Sequence, residues 1–223
     1  MTSDIAMYTE KADAYFDFAR TDIAPLLPDR MDRVLEIGCG AGATLKWLRS
    51  QHSVRHAVGI EVVPEMAKRA ASVFDVVLSD NVETMELPSG SFDVILALDV
   101  LEHLVDPWSV VRRLHRLLNP DGVIIASIPN IGHYSVSVPL VLRGRWNYTP
   151  EGLLDQTHLR FFTGKTAVEL LTCSGLIHDM TAIVRRGPKF RSAKARWYSL
   201  KILTWLLPGH LLNWQFLIRV KAT

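Results

Sequence analysis

Residues 33–42 read Arg-Val-Leu-Glu-Ile-Gly-Cys-Gly-Ala-Gly, and no other stretch of the chain restricts the fold as tightly. Val34, Leu35 and Ile37 make a short apolar run of the kind that is buried as a strand, and Gly38, Gly40 and Gly42 follow at alternate positions. Glycine accepts positive φ and lets a ligand come close to the backbone. The pattern therefore predicts a strand that turns sharply into a helix at a binding edge. By itself such a turn is only a hint of a nucleotide site. Glu36, inside the strand and just before the turn, adds a sign: a carboxylate there repels a pyrophosphate and suits a cationic ligand.

The alternation of strand and helix continues along the chain. Strands are expected at 33–38, 57–62, 76–79, 92–98 and 122–128, and helices at 42–50, 64–74, 107–118 and 163–174. The continuous apolar runs Val94-Ile95-Leu96-Ala97-Leu98 and Val123-Ile124-Ile125-Ala126 point to a parallel sheet covered on both faces. Strands alternating with helices make this an α/β, Rossmann-like doubly wound fold, expected as one domain over 1–223. Residues 9–27 carry apolar side chains at roughly helical spacing up to Pro28, which predicts a helical cap over 1–30. Residues 129–162 form a long connection after the fifth strand. Connections of that length in a compact domain usually serve function, so this one is expected on the substrate side. Over 188–223 the pattern predicts a basic and aromatic helix ended by Pro208-Gly209, then a last strand at Trp214–Val220.

Charge and cysteine usage narrow the class further. The net charge of +2 conceals nine basic residues and no acidic one after Asp179, leaving 16 basic against 23 acidic residues, or −7, in the remainder. This asymmetry points to an anionic partner and offers peripheral contact with a membrane surface through the C-terminal end. Cys39 and Cys173 suggest neither a disulfide framework nor a zinc site, and the first residues lack the basic and apolar regions of a secretion signal. The cytoplasm, with access to the inner face of the membrane, is the expected compartment. The sequence carries no recognisable RNA-binding module, which argues against nucleic acid. It does not state an oligomeric order.

A cationic ligand at the glycine turn fits the ammonium and sulfonium groups of S-adenosylmethionine (SAM), with Glu36, Gly38, Gly40 and Gly42 around it. Glu61, which closes the second strand, can accept hydrogen bonds from both ribose hydroxyls. Asp80 and Asn81, at the end of the third strand, can reach an adenine amino group, and Leu98 can flank the ring. Tyr15, with Phe18 and Arg20, can close over the cofactor from the N-terminal side. In Val-Leu-Glu-Ile-Gly-Cys-Gly-Ala-Gly, Gly-Ile-Glu, Ser-Asp-Asn, Phe-Asp-Val-Ile-Leu-Ala-Leu-Asp-Val-Leu-Glu-His and Leu-Asn-Pro-Asp-Gly-Val-Ile-Ile-Ala-Ser, the chain resembles class I SAM-dependent methyltransferases over nearly its whole length. The resemblance implies a seven-stranded sheet in the order 3-2-1-4-5-7-6, with strand 7 antiparallel. Residues 144–163 further resemble bacterial methyltransferases of polysaccharide and glycan biosynthesis. That implies methyl transfer to a hydroxyl of a sugar, nucleotide-sugar or glycan intermediate, with Arg143, Arg145, Trp146 and Tyr148 suited to a sugar phosphate.

O-methylation requires removal of the acceptor's proton near the transition state, by a side-chain base or through a cation that lowers the hydroxyl pKa. Asp99, Glu102 and His103 resemble the metal-binding stretch of ubiquinone-biosynthesis and small-RNA O-methyltransferases, and His158 before Phe-Phe-Thr resembles its completing histidine. The resemblance implies one divalent cation, Mg²⁺ or Mn²⁺, on Asp99, Glu102, His103 and His158. Without a metal, His158 or His103 is the candidate base, with His133 and Asp155 behind them. Two other readings remain open: N- or phenol-O-methylation of a small molecule, and a SAM-binding partner subunit without turnover.

Overall fold

The computed structural model describes residues 17–88, 91–185 and 208–222. Its centre is one seven-stranded sheet in the order β3-β2-β1-β4-β5-β7-β6. The strands are β1 (Arg33–Ile37), β2 (His56–Ile60), β3 (Val76–Leu78), β4 (Phe92–Leu98), β5 (Leu118–Pro129), β6 (Ile177–Arg185) and β7 (Asn213–Lys221). The first five run parallel, whereas β7 pairs antiparallel with both β5 and β6. The helices are α1 (Ala43–Gln51), α2 (Pro64–Ala70), α3 (Pro107–His115), α4 (Tyr134–Arg143) and α5 (Gly164–Thr172).

The apolar strand runs become a double-sided core because successive side chains point to opposite faces. Leu35, Ile37, Ile95, Ala97, Ile124 and Ala126 pack on one face with Val110, Val111 and Leu114 of α3 and Ala167, Leu170 and Leu171 of α5. Their neighbours Val34, Val94, Leu96, Val123 and Ile125 pack on the other, against Leu48 of α1 and Ile23 and Leu26. All the strand ends that matter for binding therefore emerge along one edge, where β1, β2, β4 and β5 finish.

Several boundaries differ from the sequence pattern. The expected N-terminal helix does not continue through 17–26: residues 17–20 are non-helical and Thr21–Leu26 is a 3-10 turn containing Pro25. Proline has no N–H for an α-helical bond, yet the tighter turn still buries Ile23 and Leu26 completely. The earlier part of that helix and Tyr15 lie outside the described residues, as does the basic helix expected between 188 and 207. β5 starts at Leu118 rather than 122, because its pairing with β4 slips between Phe92 and Val94 and absorbs the turn residues. β6 carries no clear alternation: it is an edge strand with Ile177, Met180 and Ile183 exposed. The long connection contains α4, a helix with only Val136 buried.

Leu96 is fully buried in the central strand β4. Leu96→Ala is expected to lower unfolding stability by about 2–5 kcal/mol, read as a reduced urea midpoint with unchanged slope.

Candidate active site

Three glycines shape the first half of the site. Gly38, Gly40 and Gly42 have φ of 66°, 53° and 88°, the left-handed region where a side chain is strained. At Gly38 a Cβ would stand 2.5 Å from Cγ2 of Val100, so the strand β1 can turn here only without one. The turn is pinned from β2: the Gly38 N–H donates to the Ile60 carbonyl at 2.8 Å, and the Gly40 N–H donates to Oε2 of Glu61 at 2.8 Å. Oε1 of Glu61 accepts from the Val63 N–H at 2.9 Å. Burial raises the Glu61 pKa while these N–H donors pull it back. Each Glu61 oxygen keeps further lone-pair directions open.

Glu36 is 3% exposed, and its Oε2 has no hydrogen-bond partner. Burial pushes its pKa up to about 8; a hydrogen bond with Thr44 opposes the rise, and the nearby Glu61 charge adds to it. At neutral pH the carboxyl holds its proton, and an arriving cation is the charge that would release it. Asp80 is exposed and accepts from the Asn81 N–H at 2.6 Å, while Asn81 Oδ1 accepts from the Glu83 N–H at 2.8 Å. Leu98 is buried at the end of β4.

The second half lies beyond β4. Asp99 has φ of 56°. Its Oδ2 pairs with Arg20 at 2.5 Å; its Oδ1 accepts from Ser127 Oγ at 2.9 Å and from Gln215 Nε2. The three partners come from the N-terminal segment, β5 and β7. Ser127 stands as a polar residue between Ala126 and Ile128 in an apolar strand, a signal available in the sequence. Gln215 carries no such signal, because nothing local shows that β7 will insert beside β5.

Glu102 and His103 sit on a 3-10 turn, Leu101–His103. The Glu102 carbonyl accepts the N–H groups of Leu159 and Arg160, both at 2.9 Å, so the returning limb of the long connection is fastened to this turn. That fastening brings His158 opposite: the His103 and His158 rings lie 4.7 Å apart edge to face, and His158 Nε2 is 4.0 Å from Glu102 Oε1. Nδ1 of His103 meets the Thr157 carbonyl at 3.0 Å, and Nδ1 of His158 meets the Leu153 carbonyl at 3.2 Å. A carbonyl can only accept, so these contacts assign the proton to Nδ1 and leave a lone pair on each Nε2.

Glu102 is 1% exposed, and neither carboxyl oxygen has a hydrogen-bond partner. Burial, then the charge of Asp99, raises its pKa well above the usual carboxylate range. Among the described residues, ligand atoms of Glu102, His103 and His158 all fall within 4.8 Å of one another. Of the four residues expected from the sequence, Asp99 lies outside this group, and its carboxylate is bonded to Arg20, Ser127 and Gln215. His133 and Asp155 also hold structure. His133 Nδ1 caps α4 by accepting from the Ser135 N–H at 3.2 Å, and its ring packs on Tyr134 and Trp214. Asp155 Oδ1 accepts from the Thr157 N–H and Oγ1 at 2.9 and 2.7 Å, shaping the loop that carries His158.

A glycine turn after β1, an acid ending β2, an antiparallel seventh strand and a polar cluster beyond β4 together define the SAM-dependent methyltransferase class. Residues 8–176 match the family model described as a methyltransferase domain, and the chain belongs to that family. A ubiquinone biosynthesis O-methyltransferase from Cereibacter sphaeroides is 27% identical over 200 residues, covering 85% of this chain and 75% of the relative. A 27-O-demethylrifamycin SV methyltransferase from Amycolatopsis mediterranei is 38% identical over 109 residues; that match spans 45% of this chain and 40% of the relative. In fold, the chain is similar to a SAM-dependent methyltransferase from Thermotoga maritima, with a TM-score of 0.61 and 21% identity over 90% of this chain and 86% of that one.

The raised pKa of Glu36 fixes the sign of a pH effect. In the folded protein the carboxyl titrates at about 8 rather than 4.5, so between those values the unfolded chain ionises while the folded one stays protonated, and stability falls as pH rises through that window. Glu36→Gln is expected to gain thermal stability over the cofactor-free wild type as pH rises, by at most about 1.4 kcal/mol per pH unit. Melting curves in the absence of SAM check this; a gap that stays constant with pH contradicts it.

Proposed function

We propose that the protein transfers the methyl group of SAM to a hydroxyl oxygen of an acceptor that carries a second oxygen beside it. The observation that carries this reading is Glu102, a buried carboxyl with both oxygens unpartnered, facing two imidazoles whose Nε2 lone pairs are set by backbone carbonyls. A buried unpaired carboxylate is costly, and a cation is the partner that removes the cost. This donor set of one carboxylate and two imidazoles fits a divalent ion, Mn²⁺ better than Mg²⁺, which prefers oxygen ligands. When bound, such an ion lowers the pKa of an acceptor hydroxyl and seats a neighbouring oxygen.

The remaining work falls to the chain's own residues. Glu36 and Glu61 supply the negative sites for the cofactor's cationic groups and ribose hydroxyls, with the glycine turn letting the backbone approach. Asp80, Asn81 and Leu98 mark the adenine end. Arg20, locked on Asp99, holds the N-terminal segment over the ends of β4 and β5. The Glu102 carbonyl and Asp155 keep the His158 loop in place, so that the acceptor meets a preset geometry.

Both relatives found by sequence are named for methylation on oxygen, which supports O- over N-methylation; the Thermotoga maritima protein, described as a possible histamine N-methyltransferase, is alike in fold alone at 21% identity. Neither name concerns a sugar, so a small-molecule hydroxyl such as a catechol leads, and the vicinal diol of a sugar or glycan intermediate is the second arm of the test.

The test is methyl transfer from labelled SAM to catechols and nucleotide sugars, with and without EDTA. His158→Ala is expected to lose about 100-fold or more in transfer while SAM affinity stays nearly unchanged. Loss in EDTA with recovery on adding Mn²⁺ supports the cation. Transfer that persists in EDTA but fails in His158→Ala makes His158 the base instead. Full activity in His158→Ala, or SAM binding without transfer to any acceptor, overturns the reading.

A further inference from the structure

α4 departs from the rule for a surface helix, which hides an apolar stripe against its own core. Of its ten residues only Val136 is buried. Val138, Leu140, Val141 and Leu142 are 36, 41, 80 and 74% exposed. Val138, Val141 and Leu142 are spaced i, i+3, i+4 and share a face. Single exposed apolar residues are ordinary, but four within five positions form a continuous patch.

The charge around the patch selects its occupant. The helix ends at Gly144, with φ of 60°, and exposed Arg143 and Arg145 flank that turn. No acidic residue lies between Asp121 and Glu151. Tyr148 is exposed, and Trp146 stands edge-on to Phe161 with ring centres 5.1 Å apart. Apolar side chains beside guanidinium groups and aromatic rings, with no carboxylate among them, match the boundary of an anionic bilayer. There hydrocarbon takes the first, lipid phosphates the second, and the headgroup level the third. No helix among the described residues is long and apolar enough to cross a membrane, so contact through α4 would be peripheral.

Position gives the patch a use. α4 leaves the C-terminal end of β5, and the limb returning from it carries His158 to Glu102 and His103. We propose that α4 and the Arg143–Arg145 turn dock the protein on an anionic lipid surface, so that acceptors held at headgroup level are presented to the Glu102–His103–His158 edge. The docking goes beyond the methyl-transfer reading and is tested without it.

The full chain is mixed with vesicles of phosphatidylglycerol and phosphatidylcholine, or of phosphatidylcholine alone, and floated on a density gradient. The wild type is expected to float with the anionic vesicles and to be released by high salt. Val141→Glu with Leu142→Glu should weaken the association about tenfold or more, and Arg143→Glu with Arg145→Glu should weaken it only on the anionic vesicles. S-adenosylhomocysteine binding and melting temperature report that each variant is folded; Val141→Ser with Leu142→Ser replaces the charged pair if it is not. A wild type that stays out of the lipid fraction overturns the proposal. So do floating Val141→Glu/Leu142→Glu protein, which would hand the contact to the basic C-terminal end, and a wild-type dimer in ultracentrifugation that this variant dissociates.

Discussion

Three carboxyl groups, Glu36, Glu61 and Glu102, are buried at one end of an apolar sheet, and the rest of the site is arranged around the cost of keeping them there. Each meets that cost differently. Glu61 is answered by two backbone N–H donors, which also lock the glycine turn. Glu36 is answered in part by Thr44 and keeps its proton at neutral pH. The two carboxyl oxygens of Glu102 have no hydrogen-bond partner and instead face two histidines. Where hydrogen-bond donors do not answer a buried carboxyl, as at Glu36 Oε2 and both Glu102 oxygens, a retained proton or an incoming cation relieves it. Buried acids at this edge give it an electrostatic preference for positive charge.

The two halves of the edge are joined by backbone as much as by side chains. The bonds from Leu159 and Arg160 to the Glu102 carbonyl convert a connection of some thirty residues into a fixed platform, and Asp155 and His133 hydrogen-bond within that platform. A histidine or aspartate in a long loop is often needed to satisfy the loop's own N–H groups, and these two do so here.

How much of this was legible in the sequence depends on distance along the chain. The glycine turn and the central strands were readable, because apolar runs and turn residues act within a few positions; the order of the sheet was readable only through the resemblance. Glu102, His103 and His158 were readable by resemblance, and the structure brings these three together. The same resemblance implies Asp99 as a ligand, but the hydrogen bonds of its carboxylate were not legible: Arg20, Ser127 and Gln215 arrive from 79, 28 and 116 residues away. β6 was hidden for a related reason: an edge strand needs little apolar patterning and takes its shape from the neighbour it pairs with. α4 was hidden because an apolar helix with one buried residue does not show the stripe that marks a packed helix.

The place of β7 carries a consequence for biosynthesis. It is made last of the seven, yet it lies between β5 and β6, and neither of these can pair with the other. While the ribosome is still synthesising residues 186–212, the long hydrophobic edge of β5 stays open and β6 has no partner. Nascent chains are then most exposed to aggregation, and closure of the sheet must wait until Asn213–Lys221 has left the exit tunnel.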